Sequence, residues 1–402
     1  MIDEKTGEEK TSSTKENFVE EPTLVSDFDP TRRELTINYT RVSRRYGFIL
    51  IIISFLVSVG VLLSRITIYL NELLIEFVSE NPFIIVGIFF IIGFVIVSIV
   101  ELPISFYLHS RLSRRYGLSK LTNRKWLQRY VKGEIIGFII GFPLFEGFYW
   151  VLRISPENWW VWSTLIVTGF TLLFSFIIPI VLLPIFYKFD PLEETHPELA
   201  EELIEMTVKA GVKTTSAYNW RLGEIATVGN AGLLGLGATR RIIIADTMLN
   251  QYTKDEIKWI LAHEIGHHQR HDLWKRILLG ALSTFLIFLL THIFFTPIAG
   301  IFEYPQAIED ISSIPVLGLC FWVISALFIN VPSLWYSRRV EAKTDEFAMR
   351  IIPDFNIVKS LFIKMADQNL ADINPPWWEK IFFMSHPSIS ERIRNAEMWA
   401  NN

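Results

Sequence analysis

The chain has 402 residues, half of them hydrophobic, with 31 phenylalanines, a net charge of −4 and one cysteine. A mean hydropathy of +0.33 points to a membrane protein rather than to a large soluble core. The slightly acidic balance argues against nucleic acid as a partner, and Cys320 alone excludes an intramolecular disulfide.

Residues 1–40 are polar and rich in Glu, Lys, Ser and Thr, so they read as a disordered leader and not as a cleavable signal. Six apolar segments then have the length of a bilayer span, at 48–70, 82–108, 135–152, 159–187, 277–298 and 314–335. The first four make a membrane region over 41–187, and the last two a second one over 276–336. The leader brings Arg41, Arg44 and Arg45 to the first span, and the next loop on that side carries Arg111, Arg114, Arg115, Lys120, Arg124, Lys125, Arg129 and Lys132 without an acid. The opposite loops, 71–81 and 300–313, hold acids and no base. By the positive-inside rule both termini and residues 188–275 are cytosolic, with Trp159, Trp160 and Trp162 as an aromatic belt at the far interface. Pro179 and Pro184 predict a kink where the fourth span leaves the membrane.

An amphipathic helix is expected over 197–210, stopped by Gly211. Strands are expected at 216–220, 224–230 and 241–245, separated by glycine-rich turns. A capping box, Thr253 with Glu256, then opens a helix whose apolar face runs into His263-Glu264-Ile265-Gly266-His267. Histidines four apart share a helix face and can hold one metal ion, and Glu264 stands where it can take a proton from a water on that metal. This H-E-x-x-H pattern is the zincin metalloprotease signature. A solvated helix face is the competing reading, since His268 and His271 are close by.

The last piece, 337–402, continues the sixth span. Glu341 and Asp345 are one helical turn apart, which suits a third metal ligand at Glu341 and, at Asp345, an acceptor that orients a ligand histidine.

Together with Ser385-His386-Pro387 and Glu391-Arg392-Ile393, these motifs resemble the type I CAAX prenyl protease family of integral-membrane zinc endopeptidases. Similar family segments occur at Leu102-Pro103-x-Ser105-x-Tyr107, at Pro184-Ile185-Phe186-Tyr187-Lys188-Phe189 and at Gly229-Asn230-Ala231. The resemblance implies a mainly α, polytopic helical membrane protein of about six spans enclosing a chamber, with a cytosolic α+β zincin-type domain at its membrane face. It implies one zinc per chain on His263, His267 and Glu341, Glu264 as general base, His386 and Arg392 near the scissile carbonyl, and Asn230 and Ala231 in an edge strand that aligns a substrate. The implied substrate is a peptide or protein, prenylated or membrane-associated, at a prokaryotic plasma membrane or the endoplasmic reticulum. The chain departs from the family in one respect: eukaryotic members have five spans before the metal helix, and four are counted here. Two other readings compete, a membrane-protein quality-control protease of the HtpX type and a catalytically silent scaffold or lipid-handling chamber.

Overall fold

The computed structural model describes residues 27–401 except 213, 215 and 236. The first helix, α1 (Pro30–Ser64), starts ten residues before the expected end of the leader, because Pro30 takes the first helical position and the Asp29 carboxylate accepts from the Thr31 and Arg32 amides. Residues 1–26 lie outside the described part. Helix α1 stops at Arg65, which is left-handed at φ 53°, and α2 (Ile66–Phe77) follows at once. The expected span 48–70 therefore crosses a helix break, which falls where Ser64-Arg65 interrupts its apolar run.

Next come α3 (Pro82–Ser105), extended as a π-helical stretch after Pro103, α4 (Asn123–Ile154) and α5 (Trp159–Ile177). The kink expected at Pro179 and Pro184 is a second π-helical stretch, Ile178–Leu182. A proline lacks the amide hydrogen of the regular ladder, and the wider register accommodates the loss. The end of this span is tied to α4, where Arg129 donates to the Phe186 carbonyl at 2.6 Å and Lys132 to that of Ile185 at 3.2 Å.

After residues 188–271, α8 (Asp272–Ile301) is again long and apolar, and α9 (Ile314–Ile324) runs through a π-helical stretch into α10 (Asn330–Ile351). Six helices are long and apolar enough to cross a bilayer among the described residues. They pack in a closed ring, α1 to α3 to α4 to α5 to α8 to α9 and back to α1. The ring thus closes with four spans ahead of the helix that carries His263 and His267. At the far end, α2 packs on residues 311–313, where Thr67 donates to the Ser312 carbonyl at 2.7 Å. Trp159 is buried there between Phe148 and Phe288 and takes no part in an interfacial belt, because α5 and α8 close over it; Trp162 does face outward.

The soluble unit has its own core and a four-stranded sheet of β1 (Phe189–Pro191), β2 (Ala217–Trp220), β3 (Ala231–Leu234) and β4 (Arg241–Ala245), in the order β1-β2-β4-β3. Strands β2 and β4 run parallel and the other pairs antiparallel. The strand expected at 224–230 is not one. That segment instead pairs with the loop between α3 and α4, with Lys120 N to Ile225 O at 2.8 Å and Thr227 N to Leu118 O at 3.1 Å. Helix α6 (Pro197–Lys209) covers the sheet and ends at Gly211, left-handed at φ 74°. Helix α7 (Lys254–Gln269) carries the capping box in both directions, and buried Glu256 also accepts from Ser360 and Lys364 on α11 (Phe355–Asn369). Short α12 (Trp377–Phe382) and α13 (Ile389–Ala400) complete the chain.

Candidate metal centre

Helix α7 places His263 and His267 one turn apart, with their rings perpendicular and 4.9 Å between centroids. Burying Leu261, Ala262 and Ile265 fixes the other side of the helix, with about 2 kcal/mol from Ile265 alone, while buried Trp259, one turn before His263, stacks on its ring. Helix α10 crosses α7 closely enough to bring Glu341 to the pair. Gly266 is what permits this: a Cβ there would come within 2.9 Å of Thr344 Cγ2 and of Phe347 Cδ1 on α10.

Glu341 Oε2 lies 3.3 Å from His263 Nε2 and 3.5 Å from His267 Nε2, and ligand atoms of the three residues fall within 4.8 Å of one another. Zinc bonds of 2.0–2.1 Å at tetrahedral angles require ligand atoms about 3.3 Å apart, so the spacing suits zinc. Glu341 Oε2 is also buried and receives no hydrogen bond, a costly state that a cation relieves. Two neutral imidazoles and a carboxylate form the donor set of a catalytic zinc site.

Each ring has a carboxylate behind it. His263 Nδ1 is 2.8 Å from Asp345 Oδ1, and His267 Nδ1 is 3.1 Å from Asp272 Oδ2. Such partners hold Nδ1 protonated and turn the Nε2 lone pair toward the centre. Glu341 Oε1 accepts from Arg276 Nη2 at 2.8 Å. Burial disfavours a charged His263, but its contacts with Asp345 and Glu341 outweigh this and raise its pKa to about 9 in the metal-free protein.

Glu264 lines a half-open cavity of about 110 Å³ together with His267, Leu233, Gly235, Arg240, His268, His271, Leu273 and Trp274. The other predicted residues gather nearby with one change of partner. His386 Nε2 is 3.5 Å from Glu341 Oε2, and burial pushes its pKa down against the pull of Glu341. Arg392, expected at the scissile carbonyl, is instead engaged with Asp345, whose buried charge needs a cation. Asn230 is exposed, its carbonyl accepts from Ala245 N at 2.9 Å, and Ala231 opens β3, the edge strand, which packs against α7. Sequence reasoning missed Asp272, Arg276 and Gly266. An acid five residues after His267 is a weak signal, and only the left-handed turn at His271, φ 56°, brings it back to the ring.

Residues 193–400 match the model of peptidase family M48, and residues 21–188 match the model described as CAAX prenyl protease N-terminal, five membrane helices. The chain belongs to peptidase family M48. Its M48 relatives include the uncharacterized metalloprotease YhfN of Bacillus subtilis, 30% identical over 79% of this chain and 74% of that one. CAAX prenyl protease 1 of Saccharomyces cerevisiae is 28% identical over 74% of this chain and 68% of that one. The crystal structure of S. mikatae Ste24p shares the fold, with a TM-score of 0.83 at 22% identity over 94% of this chain and 91% of that one. The protein is therefore a membrane zinc metalloprotease of the CAAX prenyl protease family, a peptide hydrolase and not a silent scaffold. Its five helices before the soluble unit are α1 to α5; α2, with 12 residues, is about 18 Å long and too short for a hydrocarbon core of about 30 Å.

Proposed function

We propose that this M48 protease cuts prenylated or membrane-associated peptides at the cytosolic face of the membrane, with zinc held by His263, His267 and Glu341 and with Glu264 as general base. The observation that carries the reading is the convergence of His263, His267 and the unsatisfied Glu341 Oε2 beside the cavity that Glu264 lines. When bound, zinc supplies Lewis acidity toward a water and a carbonyl. Glu264 takes the proton from the water and returns it to the leaving amine. His386, beside Glu341, donates to the oxygen on which negative charge develops. Arg392 acts one step back, holding Asp345 and through it the His263 ring. An extended peptide adds to the free edge of β3 from Asn230 and Ala231 onward, where backbone hydrogen bonds set its register without reading its sequence.

The cytosolic placement rests on the basic loop 111–132 opposed by the acidic loops 71–81 and 300–313. We take 41–187 and 276–336 as membrane regions, with 188–275 and 337–402 as the two parts of the soluble unit. The test is hydrolysis of two peptides, one carrying a farnesyl-cysteine near its C-terminus and one without it, by detergent-purified wild type and Glu264→Gln. Cleavage of the farnesylated peptide alone, lost in a variant that keeps its zinc, is the expected result. Equal, Glu264-dependent cleavage of both would replace it with broad membrane-protein quality control. Turnover by Glu264→Gln would remove the assignment of the base.

A further inference from the structure

The cavity beside Glu264 holds a cation that the mechanism above does not use. Arg240 sits immediately before β4, and since Leu234 pairs with Arg241 it stands just past the end of the edge strand β3. Its backbone is fixed there: the carbonyl accepts from Thr214 Oγ1 at 3.0 Å. Its side chain is half-buried, lines the cavity, and meets His268 Nε2 at 3.2 Å.

No carboxylate pairs with Arg240 among the described residues. Other arginines around the site differ in this: Arg276 and Arg392 each contact an acid within 2.8 Å, and Arg270 contacts Asp272 at 3.4 Å. Burial, with no acid to offset it, pushes the Arg240 pKa down. A desolvated guanidinium without a counter-charge costs free energy that an incoming anion would recover, and its planar fork matches a carboxylate best. Leu273 and Trp274 provide apolar lining, and among the described residues the only acid on the lining is Glu264.

We propose that Arg240 forms a carboxylate-binding subsite of the cleft, taking either an acidic side chain or a free terminal carboxylate close to the bond being cut. The cavity sets the scale. At about 110 Å³, and shared with Glu264, it has room for one small side chain or chain end, so the carboxylate lies within about two residues of the scissile bond. Asn230, at the opposite end of β3, is about 13 Å away along the strand, so the two ends of the edge would grip different parts of one extended peptide. The proposal rests on the peptidase reading above, and its test is arranged to fail separately from it.

The experiment measures binding of short fluorescent peptides of one sequence to the full-length Glu264→Gln protein in detergent, with wild-type turnover followed in parallel. One peptide ends in a free carboxylate, one in an amide, and two amidated forms carry Asp or Asn just before the cleaved bond. The free-acid peptide, the Asp peptide or both should bind about tenfold more tightly than the neutral counterpart, and which does so identifies the source of the carboxylate. That ratio should fall to about one on adding Arg240→Gln and be partly kept on adding Arg240→Lys, with zinc content unchanged. Equal binding of all four peptides, or a ratio that survives Arg240→Gln, would overturn the subsite. A ratio that depends on Arg240 in a protein whose wild type cuts nothing would keep the subsite and remove the peptidase reading.

Discussion

Arg392 grips both oxygens of Asp345, with Nε to Oδ2 at 2.8 Å and Nη2 to Oδ1 at 2.6 Å, and Asp345 Oδ1 is at the same time 2.8 Å from His263 Nδ1. An arginine from the last helix thereby aims a histidine of the metal helix. Burial opposes the Arg392 charge, but Asp345 outweighs it and keeps the guanidinium firmly protonated. Replacing Arg392 by Lys keeps a charge and loses the two-pronged contact. Zinc affinity, measured by chelator competition, should weaken about 10- to 100-fold, the range seen when partners behind metal ligands are removed. Unchanged affinity with lost turnover would instead place Arg392 on the substrate.

Gly266 makes a different kind of prediction, because its role is steric. Gly266→Ala would drive a methyl group against Thr344 and Phe347 and separate α7 from α10. The expected cost is about 1–3 kcal/mol of stability, with a zinc content well below one per chain although all the candidate ligands remain. Thermal unfolding with and without added zinc measures both effects.

Zinc uptake should depend on pH through His263. Its metal-free pKa, about 9, lies above the ordinary value of 6.5. The protonated ring therefore stabilises the metal-free fold fully below about pH 6.5, and this contribution is lost as pH rises through about 9. Zinc must displace that proton, so its apparent affinity should rise about tenfold per pH unit between those limits and level off above them. A flat profile from pH 7 to 9 would show that His263 is already neutral before metal arrives.

His386 reaches Glu341 from a loop that follows α12, a short helix with no buried residue of its own. Arg338 donates to the carbonyls of Lys380 and Met384, both at 2.7 Å, and Arg44 of α1 contacts Asp372 at 2.6 Å and Glu379 at 2.5 Å. Arg338→Ala should lower kcat about tenfold or more with zinc retained, and should expose the segment 372–384 to protease. A rise in KM alone would mean that the segment only binds substrate.

What was legible beforehand was local. The metal helix, its capping box and the Glu341–Asp345 pair follow from four-residue spacing, which a helix converts directly into a shared face. Partners from distant parts of the chain were not legible: nothing in the neighbourhood of Arg392 announces its contact with Asp345, 47 residues away. The segment 224–230 has a strand's composition, yet its backbone partner is the loop between α3 and α4 about a hundred residues earlier, through Lys120 N to the Ile225 carbonyl and Thr227 N to the Leu118 carbonyl. The break at Arg65 was passed over because the apolar run resumes at Ile66, although Ser64-Arg65 interrupts it in the sequence.

The free edge of β3 has one more consequence. An unpaired strand edge recruits any extended chain that reaches it, which in solution leads to sheet growth and aggregation. Here the edge is four residues long, ends at the left-handed Gly235, and lies against the metal helix at the mouth of the cavity. An edge of that length offers pairing to one short extended peptide and too little to template a second sheet. On the proposed function, the same confinement that makes the edge safe to keep unpaired would select for chains already without structure of their own.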